Sequence, residues 1–191
     1  GVTFETYRTN GVPYVMVSLG GKLTIGKNFA MNNGIKGNPI GCYDRCTFWV
    51  GKSAVLRIGD NVGISQAALV AIADITIGNN VKIGGGTSIF TSDFHALDPK
   101  IRASSEDLLH RKCAPVIIED NAFIGARSMI LKGVTIGKNS IVGAGSIVTK
   151  SVPENEIWAG NPCQELGIKK PPTFPLEEGE HRGSLPLNQR G

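Results

Sequence analysis

Of the three histidines in this 191-residue chain, His95 is the one whose neighbours could support chemistry. It lies in the run TSDFHALDPKIR, among hydroxyl, acidic and basic side chains, six residues after Ile89. An imidazole titrates near ~6.5, so at neutral pH it is largely uncharged and can take the proton of a hydroxyl. Asp93, two residues earlier, could orient that ring or touch an acceptor. His110 and His181 lack comparable settings and read as surface residues. Cys42, Cys46, Cys113 and Cys163 contain no CxxC pair, and Cys42 and Cys46 lack further zinc ligands nearby. They read as reduced thiols of a cytoplasmic protein.

A single imidazole needs a scaffold, and the sequence supplies one with a period of six. Ile118, Ile124, Ile130, Ile136, Val142 and Val148 recur at that spacing, and four positions after each stands a small or β-branched residue. These are Ala122, Ser128, Val134, Ser140, Ser146 and Val152. The same frame appears at Ile58, Ile64 and Val70, then at Ile77, Ile83 and Ile89 after one extra residue. A weaker stretch runs through Leu23, Ile25, Phe29 and Met31. A period of six suits a short strand followed by a turn, with one branched side chain aimed inward. Three such segments close a triangular coil, and stacked coils pair their strands in parallel at ~4.8 Å. The tetrapeptides IGKN, IGDN and IGNN put turn-forming Gly and Asn just after the inward Ile. Abundant Gly and β-branched residues weigh against helix. The expectation is an all-β parallel β-helix.

The ladder breaks after Ile89 and resumes at Ile118, and the insertion, about residues 91–116, carries His95. So long an excursion from a solenoid is usually functional. The expected organisation is a β-helix domain over 1–165 and a polar, proline-rich C-terminal extension over 166–191, an extended or partly disordered arm. Residues 1–57 look like extra, irregular coils.

With these motifs in place, the chain resembles the hexapeptide-repeat acyltransferases over about residues 20 to 165, and within them the sugar O-acetyltransferases of the maltose and galactoside type. That resemblance implies left-handed coils and a homotrimer whose sites lie at subunit seams. It implies transfer of an acetyl group from acetyl-CoA to a hydroxyl of a sugar or saccharide precursor, with His95 as general base and no metal. IGDNVGIS sets Ser65 where those enzymes hold a transition-state-stabilising Asn; backbone N–H groups are the alternative. IGARSMILKGVTIGKNSIVGAGSIVTKSVP resembles the family's coenzyme A groove. By that match Phe123, Ala126 and Ala144 flank the pantetheine arm, and Thr149 and Lys150 meet the nucleotide phosphates. Asp93 is the substrate-side candidate.

A net charge of +4 is too modest to argue for nucleic acid, and no long apolar run suggests a membrane span. The first residues lack the pattern of a signal peptide. A streptogramin- or chloramphenicol-type acetyltransferase would share the chemistry and differ in its acceptor pocket. A metal-dependent lyase on the same scaffold would need three convergent histidines, which His95, His110 and His181 do not suggest. A non-catalytic β-helix binding protein would have no use for His95 beside a matching groove.

Overall fold

A computed structural model describes residues 1–42 and 44–168. The chain winds as a left-handed parallel β-helix whose three faces are sheets of six, eight and six strands. The first face stacks Val2–Phe4, Lys22–Ile25, Val55–Ile58, Ile75–Ile77, Val116–Ile118 and Thr135–Ile136. The second runs from Tyr7–Asn10 through Gly63–Ser65, Lys82–Ile83 and Phe123–Ile124 to Glu156–Ala159. The third holds Tyr14–Val17, Thr47–Val50, Ala68–Ala71, Ser88–Phe90, Met129–Ile130 and Ile147–Val148. All pairings are parallel except the last, where Gln164–Ile168 folds back on Glu156–Ala159 and runs across the expected boundary at 165. The remainder of the expected C-terminal extension lies outside the described residues.

The six-residue rungs form the core. Ile118, Ile124, Ile130, Ile136, Val142 and Val148 are all fully buried, and successive ones fall on successive faces. The small residues two positions before each rung are buried too, so each strand sends two side chains inward with an outward one between them. Buried hydroxyls among them are not orphaned: Ser128 and Ser146 both donate to the Gly143 carbonyl. One rung departs from the expected frame. Leu69, not Val70, stacks between Phe48 and Ile89, because the corner before it is one residue shorter and turns on Gln66 with φ 44°. The irregular first residues are already coiled, since Val2–Phe4 pairs with Lys22–Ile25.

The corner between the first and second faces is built by one residue type. Asn28, Asn61, Asn80, Asn121, Asn139 and Asn155 all take left-handed backbone angles, φ 55–62°. Each amide donates to the carbonyl oxygen of the next, at 2.9–3.1 Å. Asn tolerates this conformation better than other non-glycine residues, and its side chain stitches coil to coil. Asn80→Ala should therefore lose about 1–2 kcal/mol of stability and Asn80→Gly less than half of that. Denaturant midpoints of the two variants check it; equal losses would mean the backbone conformation carries little of the effect.

Candidate active site

The loop bearing His95 leaves the prism at the corner between the third and first faces. The chain departs at Thr91, whose buried hydroxyl accepts from the Ile72 and Ala73 amides and so holds the exit fixed. A bridge between Ser92 and Cys113 closes the base. His95 is thus on the excursion and solvent-facing, and its six-residue spacing from Ile89 does not make it a rung.

Inside the loop, the segment HALDPKIR builds a tight turn. Asp98 caps the short helix Pro99–Arg102, accepting from Lys100 and Ile101 amides at 2.7 and 3.1 Å, with Pro99 at its first position. Arg102 reaches back to the carbonyls of Ala96 and Leu97 at 3.0 and 3.1 Å. Phe94 packs edge-on against Phe90, ring centroids 5.3 Å apart, and takes φ 65°, a conformation unusual for a bulky residue. Such strain next to an exposed imidazole is the kind that functional sites retain.

The ring itself is held by a residue that sequence reasoning missed. His95 Nδ1 lies 2.6 Å from Asp107 Oδ2, while the other carboxylate oxygen accepts from the Ala96 amide at 2.7 Å. The bond to His95, then that to the Ala96 amide, hold the Asp107 carboxyl below its usual range. A carboxylate at Nδ1 selects the tautomer with its proton there and leaves the Nε2 lone pair outward. The His95 side chain is 62% exposed against 16% for Asp107, so the pair presents Nε2 to solvent and shields its support. An imidazole so held has the geometry that proton abstraction requires. The signal for Asp107 was an acidic residue opening the 3₁₀ turn Asp107–Leu109, 12 positions away through irregular chain.

Asp93 has a different occupation. Its Oδ1 pairs with Lys132 Nζ at 2.6 Å, tying the loop to the coil above. The ring-orienting role considered for Asp93 therefore falls to Asp107. Asp93 Oδ2 is buried and without a hydrogen-bond partner.

Ser65 ends the strand Gly63–Ser65, at the corner between the second and third faces. Its Oγ accepts from the amides of Asn32 and Asn38, at 3.1 and 3.2 Å. Asn32 is in turn held by Asn10 at 2.8 Å. With both lone pairs engaged, the hydroxyl proton is left to donate outward. Ala126 and Ala144 rise above Ser65 on this same corner, where glycines allow the coils to touch: a Cβ on Gly84 would meet the Ala126 nitrogen at 2.5 Å. Ala144 is exposed and Ala126 half-buried. Phe123 stands on the second face between Lys82 and Ile141, 47% exposed.

Thr149 and Lys150 lie elsewhere. They follow Ile147–Val148 at the corner between the third and first faces, both exposed, on the edge from which the His95 loop springs. Within one chain the expected residues therefore form two groups. His95, Thr149 and Lys150 share one corner; Ser65, Ala126 and Ala144 share the next, about one strand length, ~13 Å, across the third face.

Among the described residues no cluster of three or more His, Cys, Asp or Glu side chains could hold a metal ion. His110 pairs with Glu106 at 3.5 Å, and His181 lies outside the described residues. All four cysteines are free, and burial pushes the Cys46 and Cys163 thiols up, away from the reactive thiolate. No helix among the described residues is long and apolar enough to cross a membrane.

A three-faced coil with one imidazole-bearing excursion defines the class: a hexapeptide-repeat β-helix. Residues 115–150 match the family described as the hexapeptide repeat of succinyl-transferase. The chain is 41% identical over 95 residues to the galactoside O-acetyltransferase of Lactococcus lactis, spanning 50% of this chain and 44% of that one. It is 34% identical over 125 residues to the galactoside O-acetyltransferase of Escherichia coli, covering 62% and 59%. A hexapeptide-repeat acetyltransferase from Vibrio cholerae, solved with acetyl coenzyme A, superposes with a TM-score of 0.56 at 36% identity, over 65% of this chain and 64% of that one. The chain spans about half the length of the curated relatives it matches. In its repeats and in these likenesses the chain is similar to the hexapeptide-repeat acyltransferases, and among them to the galactoside and maltose O-acetyltransferases.

Proposed function

We propose that this chain transfers an acetyl group from acetyl-coenzyme A to a hydroxyl of a sugar or saccharide precursor, with His95 as general base. The observation that carries the reading is the Asp107-held imidazole with its Nε2 free. His95 Nε2 takes the acceptor hydroxyl proton as that oxygen attacks the thioester carbonyl carbon. A C–O bond forms, the carbonyl electrons move onto oxygen, and Ser65 donates its free proton as a hydrogen bond to that oxyanion. On collapse the C–S bond breaks and His95 returns the proton to the departing thiolate.

The division of residues between two corners favours a homotrimer. In it, the corner with Ser65, Ala126 and Ala144 of one subunit faces the corner with His95, Thr149 and Lys150 of its neighbour. Small side chains at Ala126 and Ala144 leave room for a pantetheine arm, with Phe123 beside it. Lys150 supplies positive charge for the donor's phosphates at the far edge. Asp93, through its pairing with Lys132, would act on the substrate by fixing the loop base. The coils form one domain to about residue 165, with residues 166–191 an extension. Dependence on acetyl-coenzyme A fits a cytoplasmic enzyme.

The test is direct. Purified protein incubated with isotopically labelled acetyl-coenzyme A and a mixture of mono- and disaccharides should yield labelled O-acetyl sugars by mass spectrometry. Release of free coenzyme A with no labelled saccharide, or no release at all, would contradict the assignment.

A further inference from the structure

Residues 33–42 and 44–46 belong to a second excursion, at the corner between the second and third faces and beneath the Ser65–Ala126–Ala144 column. We propose that it makes the acceptor pocket, and that Asp44, Arg45 and Gln66 select a polyhydroxylated, uncharged acceptor. This rests on the acetyl-transfer reading above and names where its acceptor binds.

The excursion is fastened to three successive coils at that corner. Asn38 donates to Ser65 Oγ at 3.2 Å, and the Gln66 amide donates to the carbonyls of Gly34 and Asn38 at 2.8 and 3.1 Å. Arg127, one residue past Ala126, donates to the Gly41 carbonyl at 2.9 Å. Ile40 and Cys42 lie over Gly85, where a Cβ would stand 2.7 Å from Ile40 Cδ1, so a glycine there is what lets the excursion seat. A surface loop with no task rarely acquires contacts to three coils.

Beside these fastenings opens a cavity of about 450 Å³, lined by Asp44, Arg45, Thr47, Gln66, Thr87 and Ser88 among others. It offers hydrogen bonding of both signs. Asp44 accepts, Arg45 donates, and together they carry no net charge, which suits hydroxyls better than an anion. Gln66 is the second, independent sign of a ligand. It is 2% exposed, both its amide protons are engaged, and its Oε1 is buried without a partner. Buried acceptors are rarely left so, and a small shift of the Gln66 side chain, which lines the cavity, would bring this one to a hydroxyl donor there.

Position supports the assignment as well. Gln66 is the residue after Ser65, and Ser88 belongs to the strand from whose end the His95 loop departs. A saccharide in the cavity would therefore sit level with the base that a neighbouring subunit's loop delivers, with the donor arm above it.

The experiment reads saccharide binding apart from turnover. The full chain, loaded with coenzyme A, is titrated with maltose or methyl β-galactoside and observed by saturation-transfer NMR. Wild type and His95→Ala should bind at least one probe with similar affinity. Asp44→Ala and Arg45→Ala, both at exposed positions, should weaken that binding about tenfold while coenzyme A affinity and circular dichroism stay unchanged. Unchanged binding in both variants, or no saccharide bound by wild type, would overturn the pocket. Labelled acetyl transfer that survives in Asp44→Ala and Arg45→Ala but not in His95→Ala would overturn the pocket while leaving the acetyltransferase reading intact.

Discussion

His95→Ala should lower acetyl transfer by about 10²–10⁴-fold while acetyl-coenzyme A affinity moves by less than about twofold. The size follows from the chemistry: without a positioned base, an alcohol of high pKa must lose its proton to water. The constancy of donor binding follows from the division of roles proposed above, in which Ala126, Ala144, Thr149 and Lys150 hold the donor and the His95 ring handles the acceptor proton. Asp107→Asn is the sharper companion. The carboxylate now accepts from both the ring and the Ala96 amide, using one oxygen for each. A carboxamide has one acceptor oxygen, so it can satisfy only one of them. If its NH₂ faces the ring, the imidazole must turn its lone pair inward and move its proton to Nε2, which abolishes the base. A loss of about 10²-fold in kcat with KM for the donor unchanged is expected, in line with what wrong-tautomer substitutions do in other imidazole bases. Undiminished kcat in His95→Ala would remove His95 from the chemistry, and undiminished kcat in Asp107→Asn would remove the Asp107 carboxylate as its support. Acid should act through the same contact. Because the Asp107 carboxyl is held below its usual range near ~3.9, its tether to the loop is complete above that value and is lost as pH falls through the lowered one.

The fold was open to reading because coil geometry repeats: a rung every six residues writes itself into the sequence wherever corners have equal length. It failed locally where corners do not. Gln66 turns a shortened corner in a left-handed conformation with no Gly or Asn to announce it, and the inward position slipped from Val70 to Leu69. The first coils were harder to see because Phe29, Met31 and Phe48 replace the usual Ile and Val, and because the excursion at 33–46 breaks the count. That excursion had a signal, the Gly-, Asn- and Pro-rich run NNGIKGNPIG, which marks a loop but not what it covers. His95 stood out by its setting in the long insertion. Its partner Asp107 did not, since an irregular loop returns residues to one another at no fixed spacing. Asp93, nearest in sequence, was drawn away by a lysine 39 positions on, a contact that only coil stacking creates. Local chemistry was legible, and contacts across the stack were not.

The division between corners leads to a second large effect, which depends on assembly. Ala144→Trp should raise the coenzyme A dissociation constant at least about tenfold with the coils intact, because the Ala144 side chain is exposed while its backbone carries the stacking. His95→Ala alone should be nearly inactive for the reason already given. Each variant is defective at a different corner, so trimers built from both present a new possibility. A seam that joins the His95 corner of an Ala144→Trp chain to the groove corner of a His95→Ala chain contains both native residues. In a closed three-fold ring each seam joins the unlike corners of two chains, and with random equal mixing about a quarter of the seams have that composition. Assayed at donor concentrations well below the Ala144→Trp dissociation constant, where both parents are defective, the co-refolded variants should therefore recover about a quarter of wild-type acetyl transfer, with simple mixing of the folded proteins as the control. Were His95 and Ala144 to serve one site within a single chain, every mixed trimer would contain only defective sites. The mixture would then stay at the activity of its parents, and the seam would have to be abandoned as the place of reaction.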